Sequence, residues 1–220
     1  MAYDSVIFDN DGVLLDIYNG PDRFDEEIKQ LLAGFGVLDP DEDDVETLTR
    51  IGNPEDQREV CEKYGIDFAE FWRRRERRSL EYQQEMIEEG KRQLYTDFNA
   101  VELLYENLPL AVVSNNQRDF VSFILQRFRV DYLFETVYGR EPDWRSLQRL
   151  KPDAHYIQQA MEDLGVSDPL YVGDSGVDVE AAQNAGIDVA FIRRPHRDGY
   201  ELYHEPTHKI ASLHDLLDLI

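Results

Sequence analysis

Val6-Ile7-Phe8-Asp9-Asn10-Asp11-Gly12 is the stretch on which the fold turns. Three β-prone apolar residues run directly into an acidic turn that ends in glycine, the pattern of a short buried strand opening into a loop. Comparable apolar runs recur at 110–113, 134–138, 170–172 and 189–192, and helical periodicity covers 97–108, 119–128, 153–164 and 177–185 between them. Strand and helix alternate, which predicts an α/β fold with a mainly parallel sheet.

Residues 16–91 break that alternation. Helical patterning persists through them, and the spacing predicts four helices at 22–33, 41–50, 55–64 and 67–89. Gly20-Pro21 marks the entry to this lobe, Gly34, Gly36, Gly52-Asn53-Pro54 and Gly65 punctuate it, and Gly90 marks its exit. One strand precedes the lobe and the others follow it, so the sheet has to close across an insert. Two domains are expected: a discontinuous core of 1–15 and 92–220, and a helical lobe of 16–91.

Charge narrows the partners. The 220 residues carry 46 acidic against 23 basic side chains, a formal net charge of −23 that repels nucleic acid and anionic membranes. No apolar run approaches the roughly 18 residues that span a bilayer, and no targeting segment is recognisable, so a cytoplasmic location is expected. Cys61 is the only cysteine, read as a small apolar helix residue. Lysine occurs only at Lys29, Lys63, Lys91, Lys151 and Lys209. An acid-rich, lysine-poor chain resembles the proteins of salt-loving archaea, in which concentrated salt screens surface self-repulsion. Oligomeric state is left open by the sequence.

In a parallel sheet, ligands bind at the carboxyl ends of the strands. Those ends carry Asp9-Asn10-Asp11-Gly12, Ser114-Asn115-Asn116 and Gly173-Asp174-Ser175-Gly176-Val177-Asp178, and Lys151-Pro152 precedes the helix starting near Asp153. Packing alone does not ask for carboxylates there, because desolvating unpaired ones is costly. Phosphoryl transfer does ask for them. Asp9 is suited to attack phosphorus and form an acyl phosphate. Asp11, on the same side of an extended chain, is suited to protonate the leaving oxygen and then to deprotonate water, a role for which neighbouring carboxylates should raise its pKa. A hard cation such as Mg2+ would offset the repulsion between carboxylate and phosphate, with ligands from Asp9 and Asp174 and orientation from Asp178. Ser114, the amides after the first strand, including Gly12, and the Lys151 ammonium would stabilise phosphoryl oxygens.

These four segments, in this order, resemble the motifs of the haloacid dehalogenase superfamily. Asp9 and Asp11 match its nucleophile and acid, Ser114 its serine or threonine, Lys151 its lysine, and Asp174 and Asp178 its acidic metal motif. Ala181-Ala182-Gln183-Asn184-Ala185-Gly186 resembles the helix ending of phosphoglycolate-phosphatase-like members. The resemblance implies a Rossmann-like three-layer core, a helical C1 cap over the site, Mg2+ with the backbone carbonyl of Asp11 as a further ligand, phosphate contacts from Gly12, Ser114, Asn115 and Lys151, and a small phosphorylated metabolite as substrate. A β-phosphoglucomutase-like transfer uses the same residues, and a catalytically silent phospho-ligand binder would lack the nucleophile or a metal ligand. Dehalogenases of the family lack an acid at the position of Asp11, and a phosphonatase needs a cap lysine, for which Lys29 and Lys63 are the candidates. Two departures stand out: Asn10 replaces an apolar residue, and the segment 139–150 before Lys151 is long.

Other clusters invite blander readings. Arg73-Arg74-Arg75-Glu76-Arg77-Arg78 reads as a solvated or ion-paired helix face beside Glu70, Glu81 and Glu85. The acid-rich 39–46 reads as a solvated helix start, and Arg193-Arg194 as surface charge. His204 and His208 are separated by Pro206 and lack a third ligand.

Overall fold

The computed structural model describes residues 3–17, 20 and 23–220. Pro21, the expected entry marker of the insert, and Asp22, the expected start of its first helix, lie outside them. Six strands form one sheet: β1 (Ser5–Phe8), β2 (Leu110–Gln117), β3 (Thr136–Arg140), β4 (Pro169–Gly173), β5 (Asp188–Ile192) and β6 (His208–Ile210). Their order is β3-β2-β1-β4-β5-β6, and every pairing is parallel. The sheet does close across the insert, since β1 pairs with β2 on one side and β4 on the other.

Strand period divides the apolar residues between two faces. Val6, Phe8, Val112, Leu170, Val172 and Ile192 point into one core, whereas Ile7, Val113, Tyr171, Val189 and Phe191 point into the other. Both faces are covered, as in a doubly wound sheet. The helices α5 (Asn99–Tyr105), α6 (Arg118–Phe128), α7 (His155–Leu164) and α8 (Gly176–Ala185) lie between the strands in sequence. The α7 and α8 helices end on Gly165 and Gly186 in the left-handed conformation.

Two strands differ from the expected bounds. The β2 strand continues through Ser114-Asn115-Asn116 to Gln117 with a register irregularity, and Gln117 pairs with Arg140 of β3. The β3 strand itself starts two residues later than expected, because Phe134 turns into the core to meet Phe8 edge-on. The β6 strand was not foreseen. Its three residues carry no apolar run, and it is held by β5 and by a hydrogen-bond cluster in which Tyr3 reaches Asp188 and His208.

The insert holds α1 (Phe24–Gly34), α2 (Glu42–Thr49), α3 (Pro54–Lys63) and α4 (Phe68–Glu88). The α3 helix starts where expected, with Pro54 in its first turn and the Asn53 side chain accepting from the Glu55 amide. The four helices share an apolar cluster separate from the sheet cores, built on Ile28, Leu32, Leu48, Cys61, Phe71 and Trp72. Cys61 is fully buried in it. The two chain segments that join insert and sheet are fastened to each other: the Asp16 amide donates to the Gln93 carbonyl, the Gln93 amide donates to the Asp16 carboxylate, and Leu15 bridges to Leu94.

Arg193-Arg194 is not uniformly surface charge. Arg194 is buried, ion-paired to Asp97 at 2.7 Å and donating to the Val13 carbonyl, which ties the loop after β5 to the loop after β1. The arginine cluster of α4 also departs from a solvated face. Arg74 and Arg78 do pair with Glu70, Glu81 and Glu85, but Arg75 and Glu76 are buried.

Candidate active site

Asp9 sits one residue beyond β1, and its amide donates to Val172 of β4 at 2.8 Å. The chain turns there because the Asn10 carbonyl collects the amides of Val13, Leu14 and Leu15. Asn10 is wholly buried, and its side-chain amide donates to Asp11 at 3.2 Å, so the polar residue at this apolar position serves the acid. Gly12 is at φ +83, and a Cβ there would lie 2.3 Å from Asp174 Oδ2. Only glycine lets the first loop approach the acidic motif this closely. Gly173 does the same on the other side, where a Cβ would lie 2.3 Å from the Asp178 Cβ.

Lys151 is buried among Asp9, Asp178 and Tyr171, with its Nζ 2.9 Å from Asp9 Oδ1, 2.6 Å from Asp178 Oδ1 and 2.8 Å from the Tyr171 hydroxyl. Burial pulls its ammonium down, but Asp178 and Asp9 outweigh that and hold it well above its ordinary value. Asn115 clamps the backbone of Lys151: its Oδ1 accepts from the Lys151 amide at 2.8 Å and its Nδ2 donates to the Lys151 carbonyl at 3.1 Å. The Asn115 side chain is thereby turned toward the lysine backbone. The Ser114 hydroxyl is buried and accepts from the Asn116 amide at 3.1 Å.

Asp178 is a hub. It occupies the first turn of α8, where its Oδ2 accepts from the amides of Asp174 and Ser175 and from the Ser175 hydroxyl, while Oδ1 accepts from Lys151. Asp174 is approached by two groups that sequence reasoning missed, His196 Nε2 at 2.6 Å and Arg197 Nε at 2.9 Å, both on its Oδ2. They come from the turn after β5, and no motif spacing marks them.

Asp11 departs from expectation. Burial pushes its carboxyl up, but the charge and hydrogen bond of Arg92, with hydrogen bonds from Asn116 and Asn10, outweigh that and hold it below the usual range. Arg92 lies 2.6 Å away, at the return from the insert, and no motif spacing marks it. Carboxylate crowding instead acts on Asp9: burial pushes it up to about 8, against Lys151, with Asp178, Asp174 and Asp11 adding to the rise.

The fit of a cation follows from the same geometry. Asp9, Asp174 and Asp178 each offer a buried carboxylate oxygen, all within 4.8 Å of one another. Asp9 Oδ1 is buried without an aligned hydrogen bond among the described residues, although Lys151 is close to it. A cluster of hard carboxylate oxygens suits a hard divalent ion. Asp11 offers no side-chain oxygen to that cluster, since its carboxylate turns to Arg92 and Asn116.

Above these groups lies a cleft of about 680 Å³ between the insert and the sheet, lined by Asp11, Lys151, Arg92 and Asn116 from one side and by Arg75 and Gln83 from the other. Gln83 of α4 exchanges hydrogen bonds with Asn116, which in turn donates to Asp11.

Fold and site together define a Rossmann-like α/β protein with an acidic centre at the carboxyl edge of its sheet, overhung by a helical insert. Residues 6–192 match the haloacid dehalogenase-like hydrolase family, and the chain belongs to it. Over 111 residues it is 32% identical to phosphoglycolate phosphatase 1 of Pseudomonas aeruginosa, a stretch covering 49% of this chain and 39% of that protein. The chain spans about two fifths of the length of the curated relatives it matches. Among solved structures it resembles a haloacid dehalogenase-superfamily hydrolase of subfamily IA from Geobacter sulfurreducens, at 21% identity and TM-score 0.62 with 100% of both chains covered. It also resembles CbbY from Rhodobacter sphaeroides in complex with phosphate, at 17% identity and TM-score 0.70 over 97% of this chain and 96% of that one. These structural likenesses show the fold.

Proposed function

We propose that the protein is a magnesium-dependent phosphatase of small phosphorylated metabolites, working through an aspartyl-phosphate on Asp9. The observation that carries the reading is the convergence of Asp9, Lys151, Asp174 and Asp178 below a cleft of small-molecule size. In this reading residues 16–91 are the cap and residues 1–15 with 92–220 the catalytic core.

Asp9 attacks phosphorus in line, and the ester oxygen leaves with a proton. Lys151 holds a phosphoryl oxygen and neutralises part of its charge, and Ser114 and the Gly12 amide line the same loop ends. Asp178 orients Lys151 and the Asp174 loop. Bound Mg2+, held by Asp9, Asp174 and the Asp11 carbonyl, would supply charge neutralisation between carboxylate and phosphate. Asp11, kept ionised by Arg92, is prepared to take the proton of the water that attacks the acyl phosphate. Its donor role in the first half-reaction requires Arg92 to let go of it as substrate enters, so that Asp11 takes a proton from solvent or from the phosphate monoanion and passes it to the departing ester oxygen. Phosphoglycolate and sugar phosphates are the substrate candidates, the first suggested by the names of the relatives.

The test is release of phosphate from p-nitrophenyl phosphate with magnesium, at low and at molar KCl. Asp9→Asn is expected to lower the rate by about 10³-fold or more. Equal wild-type and variant rates under both conditions would sink the reading, and a phosphometabolite panel then chooses the substrate.

A further inference from the structure

The long segment between β3 and Lys151 is the departure that the proposed chemistry leaves unused. Besides a contact with β3, it lies on the insert. Residues Trp144–Arg149 form a helical turn, and Trp144 and Leu147 pack on the apolar cluster of the insert. The Trp144 ring is 5.8 Å from that of Phe68 in α4, and the Arg58 guanidinium of α3 covers both rings, at 5.0 Å and 5.4 Å. In return, Trp72 of α4 donates its indole N–H to the Pro142 carbonyl at 2.9 Å. At the start of the segment, Arg140 is ion-paired to Glu76 of α4, and Gln117 donates to the Glu76 carbonyl at 3.0 Å.

The segment is therefore fastened to the insert along its length, and it ends on Lys151. Leu147 precedes Lys151 by four residues, and a chain extends at most about 3.5 Å per residue. These residues are held as successive turns, the Leu150 amide donating to the Leu147 carbonyl and the Asp153 amide to the Leu150 carbonyl. A shift of the insert that carries Trp144 and Leu147 with it therefore either opens these turns or pulls on Lys151 against the Asn115 clamp that holds its backbone.

We infer that residues 141–150 form a strap that makes the placement of Lys151 against Asp9 depend on the seating of the helical insert, with Trp144 as its positioning residue. The inference rests on the phosphatase reading only for the task of Lys151. The insert is thus joined to the core by the paired segments at Asp16 and Gln93, which adjoin Arg92 and Asp11, by the hydrogen bonds of α4 to β2, and by this strap, which leads to Lys151. The ammonium reaches Asp9 when the lobe is down over the cleft.

Lysine reactivity tests this without turnover. Wild type, Trp144→Ala and Trp144→Phe are treated with limiting acetic anhydride, and acetylation of Lys151 is compared with that of exposed Lys209 by peptide mass spectrometry. Trp144→Ala is expected to raise Lys151 acetylation about tenfold with Lys209 unchanged, and Trp144→Phe, which keeps a ring against Phe68, to restore protection. With magnesium and p-nitrophenyl phosphate, kcat of Trp144→Ala should fall about 10- to 100-fold while KM stays near wild type, the mark of a misplaced group. A folded Trp144→Ala whose Lys151 is acetylated at the wild-type rate overturns the strap. Should Trp144→Ala fail to fold, Leu147→Ala carries the same two outcomes. Absence of turnover in the wild type would remove the phosphatase reading and leave the labelling result to decide the strap.

Discussion

Buried carboxylates in this protein are shifted by burial and by their partners together, and the balance differs from one to the next. Asp9 and Asp11 are two residues apart, yet Asp9 is pushed up to about 8 while Arg92 holds Asp11 below its usual range. Spacing identified both carboxylates. It carried no information about Arg92, His196 or Arg197, which arrive from distant chain segments. Asp97 shows the same logic away from the site: burial raises its carboxyl, but Arg194, the Leu213 amide and Ser212 outweigh that and depress it. A depressed carboxyl contributes stability above its unfolded value of about 3.9, and that contribution is lost as pH falls through the folded value. Asp97→Asn is thus expected to cost about 2–3 kcal/mol at pH 7, where it leaves Arg194 buried without its charge partner. Urea unfolding of both proteins should show the gap narrowing below about pH 4, where the carboxyl of the unfolded chain begins to protonate, and closing as pH falls through the lower folded value.

Among the elements, α4 does the most joining. Its sequence reads as an arginine-rich exposed helix, and its outer face is ion-paired in that way. Its inner side buries Arg75, which donates to the Leu48 and Thr49 carbonyls at the end of α2, and Glu76, which faces β2 and β3. Glu76 faces Arg75 at 2.7 Å and also meets Arg140 and Gln117, so one carboxylate satisfies groups from three elements. Removing its charge leaves two buried guanidiniums, and Glu76→Gln should destabilise the fold by about 3–5 kcal/mol, read by thermal unfolding. A stability loss below about 1 kcal/mol, the range of exposed pairs, would show that the network is solvated. Helical period identified α4 and its length. It could not say which turn of a charged helix faces inward, because Arg75 is made acceptable inside by the Leu48 and Thr49 carbonyls of α2 and Glu76 by Gln117 and Arg140 of β2 and β3, all far off in sequence.

For the whole molecule, the net charge of −23 is the dominant fact. Self-repulsion on that scale weakens as salt shortens the Debye length to about 3 Å at molar concentration. We propose adaptation to concentrated salt, with a midpoint of thermal unfolding that rises from low to molar KCl; a flat or falling midpoint would remove this. Among the described residues no helix is long and apolar enough to cross a membrane. Local patterning by itself determined the alternation of strands and helices, the helical insert and the carboxylates at the strand ends, because period and turn chemistry are written in neighbouring residues. It also marked 139–150 as out of proportion. Only the tertiary structure decided that this segment lies on the insert, that Asn115 holds the Lys151 backbone, that Arg92 claims Asp11, and that His196 and Arg197 meet Asp174. Each of these depends on groups from separate parts of the chain meeting in a buried space, where the cost of unpaired charge selects the partner.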